Sequence, residues 1–216
     1  MARRGDLLRE HILYVAKDVF LEMGFERTSM DVIASRAETS KRTLYAHFES
    51  KENLFLAVIE LVRGLFLNKL KTPSDYPGEP TEALTLFCGR FLEALLYERT
   101  IRMCRLCISE ADRFPEGAAR YFDVVFSLAQ ERLEAYLKET LRLSHDASSE
   151  AAERLLGQII FPRFSRALFG MDTLSERLED EGIRADFDVG PVGRMVEELV
   201  GSLSASHYVH IVCNPR

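Results

Sequence analysis

The spacing of hydrophobic residues predicts α-helices along nearly the whole chain. In the first helix, apolar residues recur every three or four positions, at Leu8, Ile12, Val15, Val19 and Met23. Gly24 followed by Phe25 marks the end of that helix, because glycine readily adopts the left-handed conformation that stops a helix. A second long helix is predicted from Ser50 to Leu70, and the segment 72–80, rich in Pro and Gly, should end it.

Further helices are predicted over residues 81–97, 101–112, 115–143, 149–169 and 192–207. Segment 144–150 is predicted as a turn, and Pro162 should kink or interrupt the helix that contains it. Alternation of apolar and polar residues at every second position, which is typical of strands, does not extend over a useful length. The sequence therefore predicts an all-α fold.

Two short helices are predicted between residues 28 and 51. Thr28 or Ser29 can cap the first, whose narrow apolar side consists of Met30, Ile33, Ala34 and Ala37. Glu38 and Thr39 form the turn, and Ser40 can cap the second helix. Leu44 and Phe48, four positions apart, should anchor that second helix to the first.

The outer side of the second short helix suits a DNA groove. It offers cations, hydroxyls and a small side chain at Lys41, Arg42, Thr43, Tyr45, Ala46 and His47. Base edges in the major groove require donors, acceptors and apolar contact with the thymine methyl group, and this set supplies all three. Lys51 follows Ser50, the predicted N-cap of the next helix, where an ammonium group and free backbone N–H groups would favour a phosphate.

From Ile12 to Ile59, including the run TLYAHFESKENLF, the sequence resembles the DNA-binding domain of the TetR/AcrR family of bacterial transcription regulators. The resemblance implies a helix-turn-helix domain over residues 1–54 and a helical domain for effector binding and dimerisation over residues 55–216. It implies that Thr28 and Lys51 hold phosphates and that Tyr45 and His47 contact backbone or base edges. Lys41, Arg42, Thr43 and Ala46 would set sequence preference, and with Ser40 they complete the predicted DNA-binding set.

This chain departs from the family pattern at Glu38, where many members have glycine. A positive φ there would cost a residue other than glycine about 1 kcal/mol. The more C-terminal run CISEADRFPEGAARYF also resembles the regulatory domains of TetR-like proteins.

The charge distribution limits how the chain can attract DNA. The net charge is −6, but residues 1–54 contain nine Lys and Arg against nine Asp and Glu, so the acidic excess lies in the remainder. Affinity must then come from the placement of a few cations, among them Arg3 and Arg4, and it should be modest on non-specific DNA and sensitive to salt. A solubilising role for the N-terminal arm is an equal alternative.

The resemblance implies that the second domain encloses a cavity for a small effector. Aromatic, Met and Cys residues on its central helices would favour a largely apolar ligand. The predicted lining is Phe87, Phe91, Met103, Cys107, Phe122, Phe126 and Phe161, although each of these side chains is also an ordinary core residue. Arg90, Arg102, Arg105, Gln130 and Gln158 are polar residues that could orient a ligand or face solvent.

Dimerisation follows from the mode of DNA reading, since one short recognition helix reads few base pairs. Two copies on a palindromic operator, about 34 to 36 Å apart, would give useful specificity. The resemblance implies that the last two helices form the contact as a four-helix bundle. The predicted interface is Leu155, Ile159, Val196, Leu199 and Leu203.

Other classes of protein fit the sequence less well. No run approaches the roughly eighteen apolar residues of a membrane span, so a cytoplasmic protein is expected. The sequence lacks a phosphate-binding glycine loop and an HExxH motif, so we predict neither an enzyme nor a cofactor nor a metal site. The alternative is a helical interaction module without operator binding, or a sensor of redox state or metal that uses Cys104 and Cys107 or His207, His210 and Cys213.

Overall fold

Eleven α-helices occupy most of the part of the chain that the structure describes. The computed structural model describes the backbone of residues 4–213 and the side chains of residues 5–66 and 69–203. The helices are α1 (Arg4–Arg27), α2 (Met30–Arg36), α3 (Lys41–His47), α4 (Lys51–Lys69), α5 (Pro80–Leu95), α6 (Glu98–Ser109), α7 (Pro115–Phe122), α8 (Leu128–Thr140), α9 (His145–Ile160), α10 (Arg163–Leu168) and α11 (Gly190–Cys213). A 3-10 helix covers Pro73–Asp75, and a π-helix covers Asp123–Ser127. The predicted all-α fold is confirmed.

The helices form two compact units. The first consists of the described residues up to Leu67 together with Ile101–Val124, and the second of Asn68–Thr100 together with the described residues from Val125 onward. The predicted boundary between residues 54 and 55 falls inside α4. Helices assigned from the sequence to the effector domain thus supply part of the first unit, which also contains the helix-turn-helix pair.

The core of the first unit is built on aromatic rings. The ring centroids of Phe20, Phe25 and Phe55 lie 5.2 to 5.8 Å apart, and all three side chains are at most 1% exposed. Gly24 has φ 75°, so α1 breaks at the predicted stop and then continues for one turn to Arg27. The buried stripe of α1 differs from the predicted one in part: Ile12 and Val19 are buried, but Leu13, Ala16 and Phe20 replace Leu8, Val15 and Met23.

The second unit has α5 at its centre, with α9 and α11 packed against it. At Gly89 of α5, an added Cβ would lie 3.0 Å from both Ile183 and Val189, so glycine permits the loop before α11 to approach closely. Arg90 and Glu93 are buried on the same helix and form an ion pair of 2.7 Å. Glu93 also accepts hydrogen bonds from the backbone N–H and the Nε of Arg184, which pins that loop to α5.

Most predicted helices are present, with two revisions. The predicted helix 115–143 is divided by the π-helix into α7 and α8. The predicted turn 144–150 lies largely inside α9, because Ser144 caps that helix by accepting from the N–H of Ala147. Pro162 separates α9 from α10, as predicted, and follows a cis peptide bond. Among the described residues no helix is long and apolar enough to cross a membrane.

Candidate nucleic-acid interface

The helix-turn-helix pair has the local structure that its sequence predicts. Ser29 rather than Thr28 caps α2, accepting from the N–H of Val32 at 3.3 Å. Ser40 caps α3, accepting from the N–H of Thr43 at 3.0 Å. The turn between the helices passes through Glu38 at φ 50°, so the positive φ expected at this position is confirmed.

Helix α3 buries one narrow side and presents the other to solvent. Leu44 is fully buried and Phe48 is 4% exposed, so the two predicted anchors are confirmed. Lys41, Arg42 and Ala46 are exposed, Tyr45 is 44% exposed, and Thr43 and His47 are half-buried. The outer side therefore consists of the residues that the sequence assigns to the groove.

The two cations at the start of α3 differ in their partners. The Lys41 ammonium lies 2.7 Å from the Asp31 carboxylate, and this hydrogen bond and the negative charge of Asp31 raise the pKa of Lys41 above its ordinary value. No described side chain pairs with Arg42, so its guanidinium fork is available to a ligand. The sequence did not predict the ion pair of Lys41, nor the one between Arg36 and Glu22.

Thr28 and Lys51 form hydrogen bonds inside the domain that the sequence did not predict. Thr28 is 2% exposed, its hydroxyl donates to the Gly24 carbonyl at 2.7 Å, and its N–H donates to the Phe25 carbonyl at 3.2 Å. Its donors are thus used inside the domain, which leaves none for a phosphate in this conformation.

Lys51 acts as a clamp inside the domain. Its Nζ donates to the carbonyls of Phe25 at 2.9 Å and Thr28 at 3.0 Å, and it lies 4.2 Å from the centroid of the Phe25 ring. An ammonium group has three donors, so one remains after these two bonds. The clamp joins residues more than twenty positions apart, a relation that local spacing does not reveal.

The residues of the predicted effector lining differ widely in exposure. Phe87 and Phe91 are fully buried, and Met103 and Cys107 are at most 5% exposed, as expected of core residues. Phe122 and Phe161 are 57% and 68% exposed, so they are surface residues in this conformation. Phe126 is half-buried and packs edge-on against Phe164 at 5.6 Å.

Among the polar candidates, Arg90 serves the protein's own structure. Besides Glu93, it donates to the carbonyls of Lys69 and Glu179, so its guanidinium is used within the second unit. The side-chain amide of Gln130 donates to the Glu153 carboxylate at 3.4 Å. Arg102 and Arg105 are exposed, and Gln158 lines an open groove beside α9 and α11.

Four of the five predicted dimer residues are buried inside the protomer. Leu155, Ile159, Val196 and Leu199 are at most 3% exposed, and Leu203 is half-buried. The predicted face is wrong in helical phase, because the apolar stripes of α9 and α11 are used to pack against each other and against α5. An open groove of about 660 Å³ lies on another side of these helices. Its lining is Glu153, Arg154, Gly157, Gln158, Phe161, Pro191, Arg194, Met195 and Glu198.

The three described cysteines are poor candidates for a redox trigger. Burial raises the pKa of Cys104 to about 11 and those of Cys88 and Cys107 to about 12. Because the thiolate is the reactive form, these thiols are almost wholly unreactive at neutral pH. His207, His210 and Cys213 lie outside the described side chains, as do Arg3 and Arg4.

A three-helix domain whose third helix, α3, is capped and turns one side to solvent is the architecture of helix-turn-helix DNA-binding proteins. Sequence profiles specify the class further. Residues 12–58 match the profile of bacterial regulatory proteins of the tetR family, and residues 82–189 match that of the AefR-like transcriptional repressor C-terminal domain. The chain belongs to the tetR family of transcriptional regulators.

Curated relatives match over part of their length. The chain is 44% identical to the transcriptional activator FasR of Mycolicibacterium smegmatis over 83 residues, which are 34% of this chain and 37% of FasR. It is 43% identical to the regulator QacR of Staphylococcus aureus over 25% of this chain and 29% of QacR. The matched segments thus span well under half of these relatives.

Solved structures match over nearly the whole chain. A TetR-family regulator from Mesorhizobium loti superposes with a TM-score of 0.73 at 23% identity, covering 95% of this chain and 98% of that one. The flavonoid-responsive regulator FrrA superposes with a TM-score of 0.68 at 25% identity, covering 93% and 96%. The first likeness supports the fold alone.

Proposed function

We propose that this protein is a homodimeric repressor that binds a palindromic operator through α3 and leaves it when a small, largely apolar effector binds. The observation that carries the proposal is that α3 has two different sides. Leu44 and the following Phe48 are buried against the domain, whereas the cations, hydroxyls and small side chain on the outer side face solvent. The match to an AefR-like repressor domain favours repression over activation. A protein that regulates a chromosomal operator would work in the cytoplasm.

Within this proposal the residues have different tasks. Arg42 is the main candidate for a bidentate contact with guanine, because its guanidinium has no partner among the described side chains. Tyr45, Thr43 and His47 would contact phosphates or base edges, and Ala46 leaves room for a thymine methyl group. Lys41 would have to give up its ion pair with Asp31 in order to bind a phosphate, so its net contribution to the free energy of DNA binding would be smaller.

The groove between α9 and α11 is the proposed dimer contact. Two acidic and two basic side chains line it, Glu153 and Glu198 with Arg154 and Arg194, so a second copy related by a twofold axis could pair each with its opposite. Apart from the adjoining residues and backbone of its own helix, no described atom lies within 4 Å of a Cβ built at Gly157, which leaves open space for a close approach of helices. Phe161, 68% exposed, would lose water contact there.

The effector would act through α4, which runs from the first unit into the second. A ligand can shift the recognition helices only if it prefers one arrangement of the second unit, so its differential affinity sets the size of the response. The aromatic content of α5 and the name of FrrA, a flavonoid-responsive regulator, favour an aromatic ligand.

A binding titration tests the operator contact. Fluorescence anisotropy with DNA from upstream of the protein's own coding region should give a dissociation constant about 10- to 100-fold weaker for Tyr45→Ala than for the natural protein. Tyr136→Ala on α8, also a partly exposed tyrosine, is the matched control and should bind normally. Equal affinity for Tyr45→Ala and the natural protein would refute the assignment of this surface.

A separate pair of variants tests the dimer contact. Gly157→Arg should convert the dimer to a monomer in analytical ultracentrifugation, whereas Gly64→Arg, at an equally open helical glycine on α4, should not. A Gly157→Arg protein that remains dimeric would place the contact elsewhere.

A further inference from the structure

The corner between α6 and α7 packs against the end of α1 and the start of α4, which flank the helix-turn-helix pair within the first unit. It consists of residues 110–114, which lie inside the run CISEADRFPEGAARYF. The proposed operator contact gives this run no role. The ring of Phe114 lies 4.7 Å from that of Phe25 at the end of α1, and 5.9 Å from that of Phe55 on α4. This corner therefore extends the aromatic cluster that holds α1 against α4.

Arg113 adds charge to the same contact. Its Cζ lies 4.9 Å from the centroid of Phe25 and 5.3 Å from that of Phe114. The guanidinium also forms an ion pair with Glu26, and its Nη2 is 3.9 Å from the Glu52 carboxylate. One planar cation thus contacts the last turn of α1 and the first turn of α4, a combination of stacking and pairing that lysine does not reproduce.

Helix α7 holds this corner at close range. A Cβ added at Gly117 would lie 3.1 Å from Leu56 Cδ2 and 3.2 Å from Ile59 Cδ1, so glycine permits α7 to approach α4. Arg120 pairs with Glu60 of α4 at 3.4 Å. Arg113 is therefore presented by a segment that is itself packed onto α4.

The segment that Arg113 contacts leads directly into the recognition pair. Lys51 holds the carbonyls of Phe25 and Thr28, and Ser29 then caps α2. We propose that Arg113 and Phe114 are positioning residues for operator binding: they fix the α1–α2 corner and thereby the orientation of α2 and α3. This inference rests on the proposed function. It adds that operator binding requires residues outside the helix-turn-helix pair, which do not themselves contact DNA.

Matched variants separate positioning from general stability and from charge. Arg113→Gln removes the cation, Arg113→Lys keeps the charge but not the planar stacking, and Phe114→Leu keeps apolar bulk without the ring. Arg120→Gln is the control, since Arg120 is on the same segment, is exposed to a similar extent (47% against 45%) and also pairs with α4. Unfolding temperatures of all four variants establish that each is folded.

Amide hydrogen exchange of residues 24–32 measures the corner without DNA. We expect exchange there to accelerate about fivefold in Arg113→Gln and Phe114→Leu, less in Arg113→Lys, and not in Arg120→Gln. On the upstream DNA fragment, Arg113→Gln should bind about five- to tenfold more weakly. On a scrambled fragment the affinity of Arg113→Gln should equal that of Arg120→Gln, because each variant has lost one positive charge.

Two results would overturn the positioning role. The first is exchange at residues 24–32 that is the same in Arg113→Gln as in the natural protein. The second is faster exchange with unchanged affinity for the upstream fragment. Failure of the natural protein to bind that fragment would refute the proposed function, and the exchange comparison would still decide whether Arg113 holds the corner.

Discussion

Arg42 and Arg90 show how the same residue type serves opposite purposes in the two units. Arg90 is 1% exposed and donates to Glu93 and to the carbonyls of Lys69 and Glu179, so it holds the end of α4 and the loop before α11 against α5. Arg42 is exposed on α3, and no described side chain pairs with it. A buried arginine that is fully bonded supports the fold, whereas an exposed one on a rigid helix is free to bind a partner.

The first prediction concerns the buried side of this comparison and has the largest expected effect. Arg90→Ala leaves the buried Glu93 carboxylate with Arg184 as its remaining cation. Breaking a buried pair in this way should lower the free energy of unfolding by about 3 to 5 kcal/mol. Chemical denaturation measures the change, and Arg42→Ala should leave it within about 0.5 kcal/mol. Equal losses in the two variants would remove the distinction between the two arginines.

The second prediction sharpens the comparison on the DNA side. Arg42→Gln should weaken binding to the upstream fragment about tenfold or more, whereas Lys41→Gln should weaken it only about threefold because Lys41 is already paired with Asp31. Titrations at several salt concentrations measure both constants. A larger loss for Lys41→Gln than for Arg42→Gln would contradict the ranking.

The third prediction addresses the turn between α2 and α3. Glu38→Gly relieves a residue held at φ 50° and should raise the free energy of unfolding by up to about 1 kcal/mol. Glu150→Gly, at an exposed position inside α9, should lower it by about 1 kcal/mol. The unfolding temperature should therefore rise in Glu38→Gly and fall in Glu150→Gly. A fall in both variants would exclude strain at the turn.

The smallest effect is expected at the cysteines. With burial raising the pKa of Cys104 to about 11 and that of Cys107 to about 12, their thiolate fractions at pH 7 are on the order of 10⁻⁴ or less. Thiolate becomes abundant only as the pH rises through these values, so a thiol reagent at pH 7 should leave both unmodified in the folded protein. Mass spectrometry after labelling checks this, and rapid modification of either peptide would restore the redox alternative.

Features that depend on neighbouring residues were predictable from the sequence. Ser40 as a cap, Leu44 and Phe48 as anchors and the break at Pro162 each follow from spacing within one or two helical turns. The outer side of α3 was predictable for the same reason, because fixing the two anchors determines which residues face outward.

Features that depend on distant partners were not predictable. Lys51 finds two carbonyls near the end of α1, and Arg113 finds Glu26, 87 positions earlier. The dimer prediction failed because apolar spacing identifies the buried side of α9 and α11 without saying whether the same protomer or a second copy covers it. Leu155 and Val196 are covered by their own protomer.

The central claim is that the outer side of α3 reads DNA sequence. Its most direct test is the ratio of the dissociation constants of the natural protein for a scrambled fragment and for the upstream fragment, measured at one salt concentration. We expect a ratio of about 10³ or more, as for specific DNA-binding proteins. A ratio close to one, with both fragments bound equally, would contradict the claim.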